Sequence, residues 1–183
     1  MTTSRWAALG AAIVLAAIAF WYSAGRSAVS NEIDLVATLP AAEKRTNVVG
    51  QPQFVVESVT VDGVAKRVIL ARPHSRLIYP VLVPQDAWLE VGFALKPETW
   101  DLPGDGAQFR VGVSDGRVYD ELLRQYVNPK RGDRRWFSAR LDLSAYEGRQ
   151  VKVIFNTDPG PPEGRDGAND LAVWGEPRIY SKR

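Results

Sequence analysis

The chain has no cysteine and only one histidine in its 183 residues. The first absence excludes thiol catalysis, cysteine metal ligands and disulfide stapling, and leaves open on which side of a membrane the chain works. The second leaves little for nucleophilic catalysis. His74 follows Pro73 in a loop and reads as structural or solvated, Ser75 beside it is not in a nucleophile-elbow context, and no Gly-x-Ser-x-Gly, His-Glu-x-x-His or phosphate-loop pattern occurs. Charge of one sign is also scarce. Lys and Arg total 23 against 21 Asp and Glu, and Arg5 belongs to the N-terminal end, so the remainder is nearly balanced. A nucleic-acid surface is not expected, because the pI near 9.0 reflects a small imbalance rather than a basic face. Amphipathic helical segments, internal repeats and low-complexity tracts are missing as well.

What is present begins with one apolar run. The length suits one domain with an appendage, not two domains with separate cores. The appendage is residues 6–22 (WAALGAAIVLAAIAFWY), which carry no charge. As a helix rising about 1.5 Å per residue, this run, extended through residue 25, nearly matches a bilayer core of roughly 30 Å. Trp6 at one end and Trp21 and Tyr22 at the other stand where interfacial aromatics are enriched. The run reads as a single-pass membrane anchor, with a short cytoplasmic N-terminus (1–5) and the rest extracytoplasmic, in a bacterial periplasm or on the cell surface. A cleavable signal sequence competes with it, with small residues at 23–25 but bulky Trp21 and Tyr22 just before them. Residues 26–53 mix Ser, Asn, Thr, Pro, Gly and charges around an apolar patch from Ile33 to Leu39 and read as a stalk.

From Phe54 the pattern becomes short Val-, Ile-, Phe- and Trp-rich segments separated by Gly, Pro, Asp and Asn. Strands are predicted at 54–61, 64–71, 76–83, 88–95, 108–114, 117–126, 136–143, 150–156 and 171–180. Asp62-Gly63 predicts a two-residue hairpin turn, and Asp115-Gly116 another. With no helical pattern between them, such strands indicate an antiparallel sandwich over 54–183. Alternation assigns a core of Leu89, Val91, Phe93 and Leu95; Phe109, Val111 and Val113; Phe137, Ala139, Leu141 and Leu143; and Val151, Val153 and Phe155. Trp88, Glu90, Arg110, Ser114, Trp136, Ser138, Arg140 and Asp142 fall on the opposite faces.

The order Pro73-His-Ser-Arg-Leu-Ile-Tyr-Pro-Val-Leu-Val-Pro84, Trp88-Leu-Glu-Val-Gly-Phe93 and Gly104-Asp-Gly-Ala-Gln-Phe-Arg-Val-Gly-Val113 leads into a characteristic closing half. That half is Arg135-Trp-Phe-Ser-Ala-Arg-Leu-Asp-Leu-Ser-Ala-Tyr-Glu-Gly-Arg149, the strand from Gln150, and Trp174-Gly-Glu-Pro-Arg-Ile179. Together, over about the last 130 residues, these resemble galactose-binding-like jelly-roll domains. The resemblance implies an all-β, antiparallel jelly-roll β-sandwich behind one N-terminal transmembrane helix. It also implies a role in holding carbohydrate or packing on a partner, with no ligand residues to carry over.

The residues themselves supply the candidate sites. Sugar binding asks for a flat aromatic face with hydrogen-bonding groups beside it. Trp100 and Asp101 before Gly104, and Tyr126, Asn128, Arg134 and Trp136 around the 128–135 loop, meet that description; the bland reading makes Trp100 an end plug and sets Trp136 under a loop. The basic run 130–135 reads as a solvated hairpin tip or a contact for an acidic polysaccharide, lipid headgroup or acidic protein face. Paired carboxylates among Asp101, Asp105, Asp115, Asp120, Glu121 and Asp133 would be the glycosidase alternative, although Asp favours turns and caps for local reasons. No cofactor is called for. The loop 156–170 does hold oxygen ligands, and a structural calcium there would take Asp158, Asp166 and Asp170, though not with EF-hand spacing. The expected function is therefore a non-catalytic recognition module for a glycan or envelope component, or else a scaffold subunit binding an envelope protein.

Overall fold

A computed structural model describes residues 32–160, 167 and 169–181. Eleven strands run in chain order: β1 (Ile33–Asp34), β2 (Glu43–Thr46), β3 (Val56–Val61), β4 (Val64–Leu70), β5 (Ser75–Leu82), β6 (Ala87–Leu95), β7 (Ala107–Ser114), β8 (Tyr119–Val127), β9 (Phe137–Asp142), β10 (Gln150–Pro159) and β11 (Ala172–Ser181). Between them are only short 3-10 turns. One sheet has the order β3-β4-β11-β6-β9 with β1 also on β11, and the other the order β2-β5-β10-β7-β8. Every pairing is antiparallel. The two sheets form a β-sandwich, as the alternating segments predict.

The core lies where the inward faces meet. Phe93 of the first sheet stands 5.1 Å from Phe109 of the second, ring centre to ring centre, and Trp174 packs edge-on against Phe109 and Phe155 at 4.9 and 5.1 Å. The expected core residues of β6, β7 and β10 are all buried. On β9, Phe137, Ala139 and Leu141 are only partly buried, because that strand is a sheet edge with a single neighbour.

Turn chemistry agrees at one hairpin and departs at the other. Asp62 and Gly63 have φ of 48° and 75°, as a type I′ turn demands. After β7 only Gly116 is left-handed, and the connection takes four residues because the Asp115 carboxylate accepts from the N–H groups of Arg117 and Val118, both at 3.0 Å.

Residues 33–46 are not a stalk in this structure. Leu35, Val36, Leu39 and Ala42 are buried in the main core, β1 pairs with β11 and β2 forms an edge beside β5. The place for β1 is made by a bulge. Between Gly175 and Arg178 the register of β11 shifts, so its first half pairs with β4 and its second half with β1, while the Pro177 carbonyl accepts from Leu35 N–H at 3.0 Å. Among the described residues no helix is long and apolar enough to cross a membrane. The run at 6–22, read from the sequence as the anchor, lies outside them.

Candidate functional site

The turns chosen from the sequence are held by their own chain. Trp100 caps the 3-10 turn after β6, its indole N–H donating to the Leu95 carbonyl at 2.9 Å. Arg134 lies over the Trp100 ring at 5.6 Å and pairs with Asp101 at 2.5 Å. Asn128 is buried and saturated: its amide donates to the Asp105 carbonyl and the Tyr126 hydroxyl, both at 2.9 Å, and its carbonyl accepts from Lys130 N–H at 2.9 Å. Tyr126 O–H donates to the Asp105 carbonyl. Trp136 lies on the outer face of the first sheet, with Lys66 over its ring at 5.8 Å and its N–H donating to the Val64 carbonyl at 2.9 Å. A side chain at Gly175 would reach that ring at 3.1 Å, so the absence of a Cβ there lets the indole lie flat. The structure thus gathers Trp100, Asp101 and Arg134 and links Tyr126 with Asn128, with the Trp100 face toward Arg134 and the Asn128 amide engaged within the chain and the Asp101 carboxylate largely exposed. The basic run follows suit, with Arg131 over Tyr126 and Arg135 over Phe137.

Of the carboxylates read as an enzymatic option, all but Asp105, which keeps a buried oxygen without a hydrogen-bond partner, are likewise engaged. Asp115 pairs with Arg149 at 2.7 Å, Asp120 accepts from Tyr146 O–H at 2.8 Å, and Asp133 accepts from Asn128 N–H at 2.9 Å. Of the residues named for calcium, Asp158 and Asp170 are held by the chain. Asp166 lies outside the described residues, Asp158 is held by Arg110 at 2.7 Å, and buried Asp170 accepts from Gly106 N–H at 3.1 Å. Among the described residues no three carboxylate or histidine side chains come together. A carboxylate fixed by a guanidinium on a sheet face is turned away from a loop-bound cation.

The built polar surface is elsewhere, on the outer face of the second sheet. Inward Leu77, Phe109 and Phe155 alternate there with outward Arg76, Arg110 and Asn156. Direct register aligns Arg45 with Arg76, Arg76 with Asn156, Asn156 with Arg110, and Arg110 with Arg124. One row therefore crosses all five strands. The next row runs Glu43, Ile78, Ile154, Gly112 and Glu121, and its two isoleucines, although outward in register, are buried. Tyr119 folds back over Gly112, where any Cβ would overlap its ring, and its hydroxyl accepts from the Asn156 amide at 3.4 Å. Tyr119 as a whole remains 41% exposed.

The electrostatics of this face are set by close pairs. Arg110 bridges Asp158 at 2.7 Å and Glu121 at 3.5 Å, and Glu121 also binds Arg124 at 2.6 Å. The hydrogen bond from Arg124 holds the Glu121 carboxyl below its ordinary pKa, against the opposing effect of burial. Burial pushes the Tyr119 phenol up, so it stays a neutral hydroxyl at physiological pH. Toward β2 the face opens into a shallow cleft of about 330 Å³ lined by Arg45, Thr46, His74, Arg76, Asn156 and Asp158. Sequence reasoning placed Arg110 outward but had no means of aligning it with Arg45, Arg76, Arg124 and Asn156. The one local signal was a glycine in the middle of an otherwise alternating strand, which marks close approach.

No family model matches the chain. An uncharacterized protein of Archaeoglobus fulgidus is 41% identical over 102 residues, covering 54% of this chain and 25% of the relative, so the match spans about a quarter of that relative's length. Among solved structures, the CBM51 of Clostridium perfringens GH95, in complex with methyl-galactose, aligns with a TM-score of 0.54 at 12% identity, over 81% of this chain and 99% of that one. The CBM51-2 and INT domains of Clostridium perfringens ZmpB align with a TM-score of 0.57 at 13% identity, over 82% of this chain and 32% of that one. At such identities the likeness is one of architecture: the described domain shares the β-sandwich fold of these carbohydrate-binding modules.

Proposed function

We propose that the domain is a non-catalytic carbohydrate-recognition module whose binding face is the outer surface of the five-stranded sheet, displayed outside the membrane by the N-terminal run. The observation that carries the reading is a row of charged and hydrogen-bonding side chains beside the half-exposed Tyr119 on one sheet face. A pyranose has the same two-sided character, with hydroxyls at its rim and C–H bonds on its faces. The Tyr119 ring, backed by buried Ile78 and Ile154, offers the apolar face, and Arg76 and Asp158 the donors and acceptors. The fold shared with sugar-binding modules supports this reading. So does the engagement of Asp101, Asp115, Asp120, Glu121 and Asp133 in caps and ion pairs, which among the described residues leaves no free pair of these carboxylates for acid and base roles.

A glycan array probed with the full chain tests it. Saturable binding to at least one glycan is expected, reduced about tenfold or more in both Tyr119→Ala and Gly112→Ala, the latter by displacing the same ring, with melting temperatures within a few degrees of the parent. Asp101→Asn, at an exposed turn, is expected to bind normally. A folded chain that binds no glycan would move the function to scaffolding of a protein partner.

A further inference from the structure

We infer that the ligand of this face is an acidic polysaccharide, its carboxylate or sulfate groups laid along the arginine row; this rests on the glycan reading above. Four of the five residues in the row are arginines, Arg45, Arg76, Arg110 and Arg124, with Asn156 at the centre. At a strand spacing of about 4.7–4.9 Å the row is roughly 19 Å long, the reach of several sugar rings. Arg45 and Arg76 are direct cross-strand partners, as are Arg110 and Arg124. Like charges placed directly opposite destabilise a sheet. The core has no need of them, since these side chains point away from it.

The carboxylates on the face compensate the row unevenly. Glu43 pairs with Arg45 at 2.5 Å, and Glu121 and Asp158 serve Arg110 and Arg124. Arg76 has no such partner: its Nε donates at 2.6 Å to the neutral Asn156 carbonyl, and among the described residues no carboxylate lies within ion-pair distance of it. It is exposed and lines the cleft beside His74. A guanidinium with free N–H groups next to an open cleft matches a planar carboxylate or a sulfate. The exposed Tyr119 on the same face asks for a flat C–H surface near that anion, which a sugar acid offers and a bare phosphate chain or acidic peptide does not. The basic run 130–135 is the obvious competitor, but Arg131, Arg134 and Arg135 already lie over aromatic rings of the chain and Arg134 is paired with Asp101.

The test is calorimetric titration of the full chain with polygalacturonate, dextran sulfate, neutral galactan and polyglutamate, at low and at physiological salt. Polygalacturonate or dextran sulfate is expected to bind saturably and more weakly as salt rises; which of the two binds tells carboxylate from sulfate. Arg76→Gln is expected to weaken that binding about tenfold, Arg76→Lys to restore part of it, and Arg134→Gln to leave it unchanged, all with unaltered melting. Galactan bound as well as the acidic polymers, and equally by Arg76→Gln, would overturn the inference while sparing the glycan reading. Equal binding of polyglutamate, or loss of binding in Arg134→Gln alone, would also overturn it. Binding of none of the polysaccharides, joined to a blank array, would overturn the glycan reading itself.

Discussion

Trp174→Ala is expected to remove about 3–5 kcal/mol of stability, the range for truncating a large buried aromatic. Trp174 is 1% exposed and joins the two sheets. Its ring packs against Phe93 of its own sheet and against Phe109 and Phe155 of the opposite one. Its indole N–H donates at 3.1 Å to the hydroxyl of Thr157, which is fully buried. Truncation therefore opens a cavity and removes a hydrogen-bond donor from a hydroxyl that water does not reach, two costs that add. A domain of this size has only about 5–15 kcal/mol to lose. The melting temperature should fall by roughly 10–15 °C, read by circular dichroism. Trp174→Phe, which keeps most of the volume, should recover more than half of the loss. A melting temperature within a few degrees of the parent in Trp174→Ala would show that the two sheets do not depend on this contact.

The second large effect concerns where the domain begins. A chain starting at Phe54, the boundary the composition suggests, is expected to fail to fold, whereas one starting at Glu32 folds. The missing segment carries Leu35, Val36 and Leu39, each no more than 6% exposed, and burying side chains of this kind contributes about 1.5–3 kcal/mol apiece. Their summed loss is comparable to the whole net stability of a domain. Deleting β2 also strips the partner from β5 and leaves a sheet edge without its polar cover, Glu43–Thr46, a recipe for association between chains. Soluble yield and urea unfolding of the two chains decide the matter. Cooperative unfolding of the shorter chain at a similar midpoint would make residues 33–46 an accessory layer.

These two predictions mark what was legible in the sequence. Strands with period-two alternation, such as Leu89 to Leu95 and Val151 to Phe155, were visible because burial on one face writes itself directly into residue order. β1 was not, since two residues carry no period and its place depends on a bulge in β11 some 140 residues later. β2 was hidden for the opposite reason: its residues, Glu-Lys-Arg-Thr, are what an exposed edge needs and look like a loop.

The proposed site was less legible than the fold. Trp100 and Trp136 stood out because tryptophan near a turn is conspicuous, yet the structure bonds both indole N–H groups to backbone carbonyls. The arginine row was inconspicuous in sequence, since each member is an ordinary outward position on its own strand. Only register brings residues 45, 76, 110, 124 and 156 to one level, and register is fixed by turns and bulges, such as the one opposite Val111 and Gly112, rather than by composition.

The most direct measurement is an amide chemical-shift titration of the isotope-labelled full chain with a short oligogalacturonate. Fast, saturable shifts gathered on Arg76, Arg110, Gly112, Tyr119 and Asn156 are expected, with the turns around Trp100 and Asn128 unmoved. Shifts confined to those turns, with the sheet face silent, would contradict it.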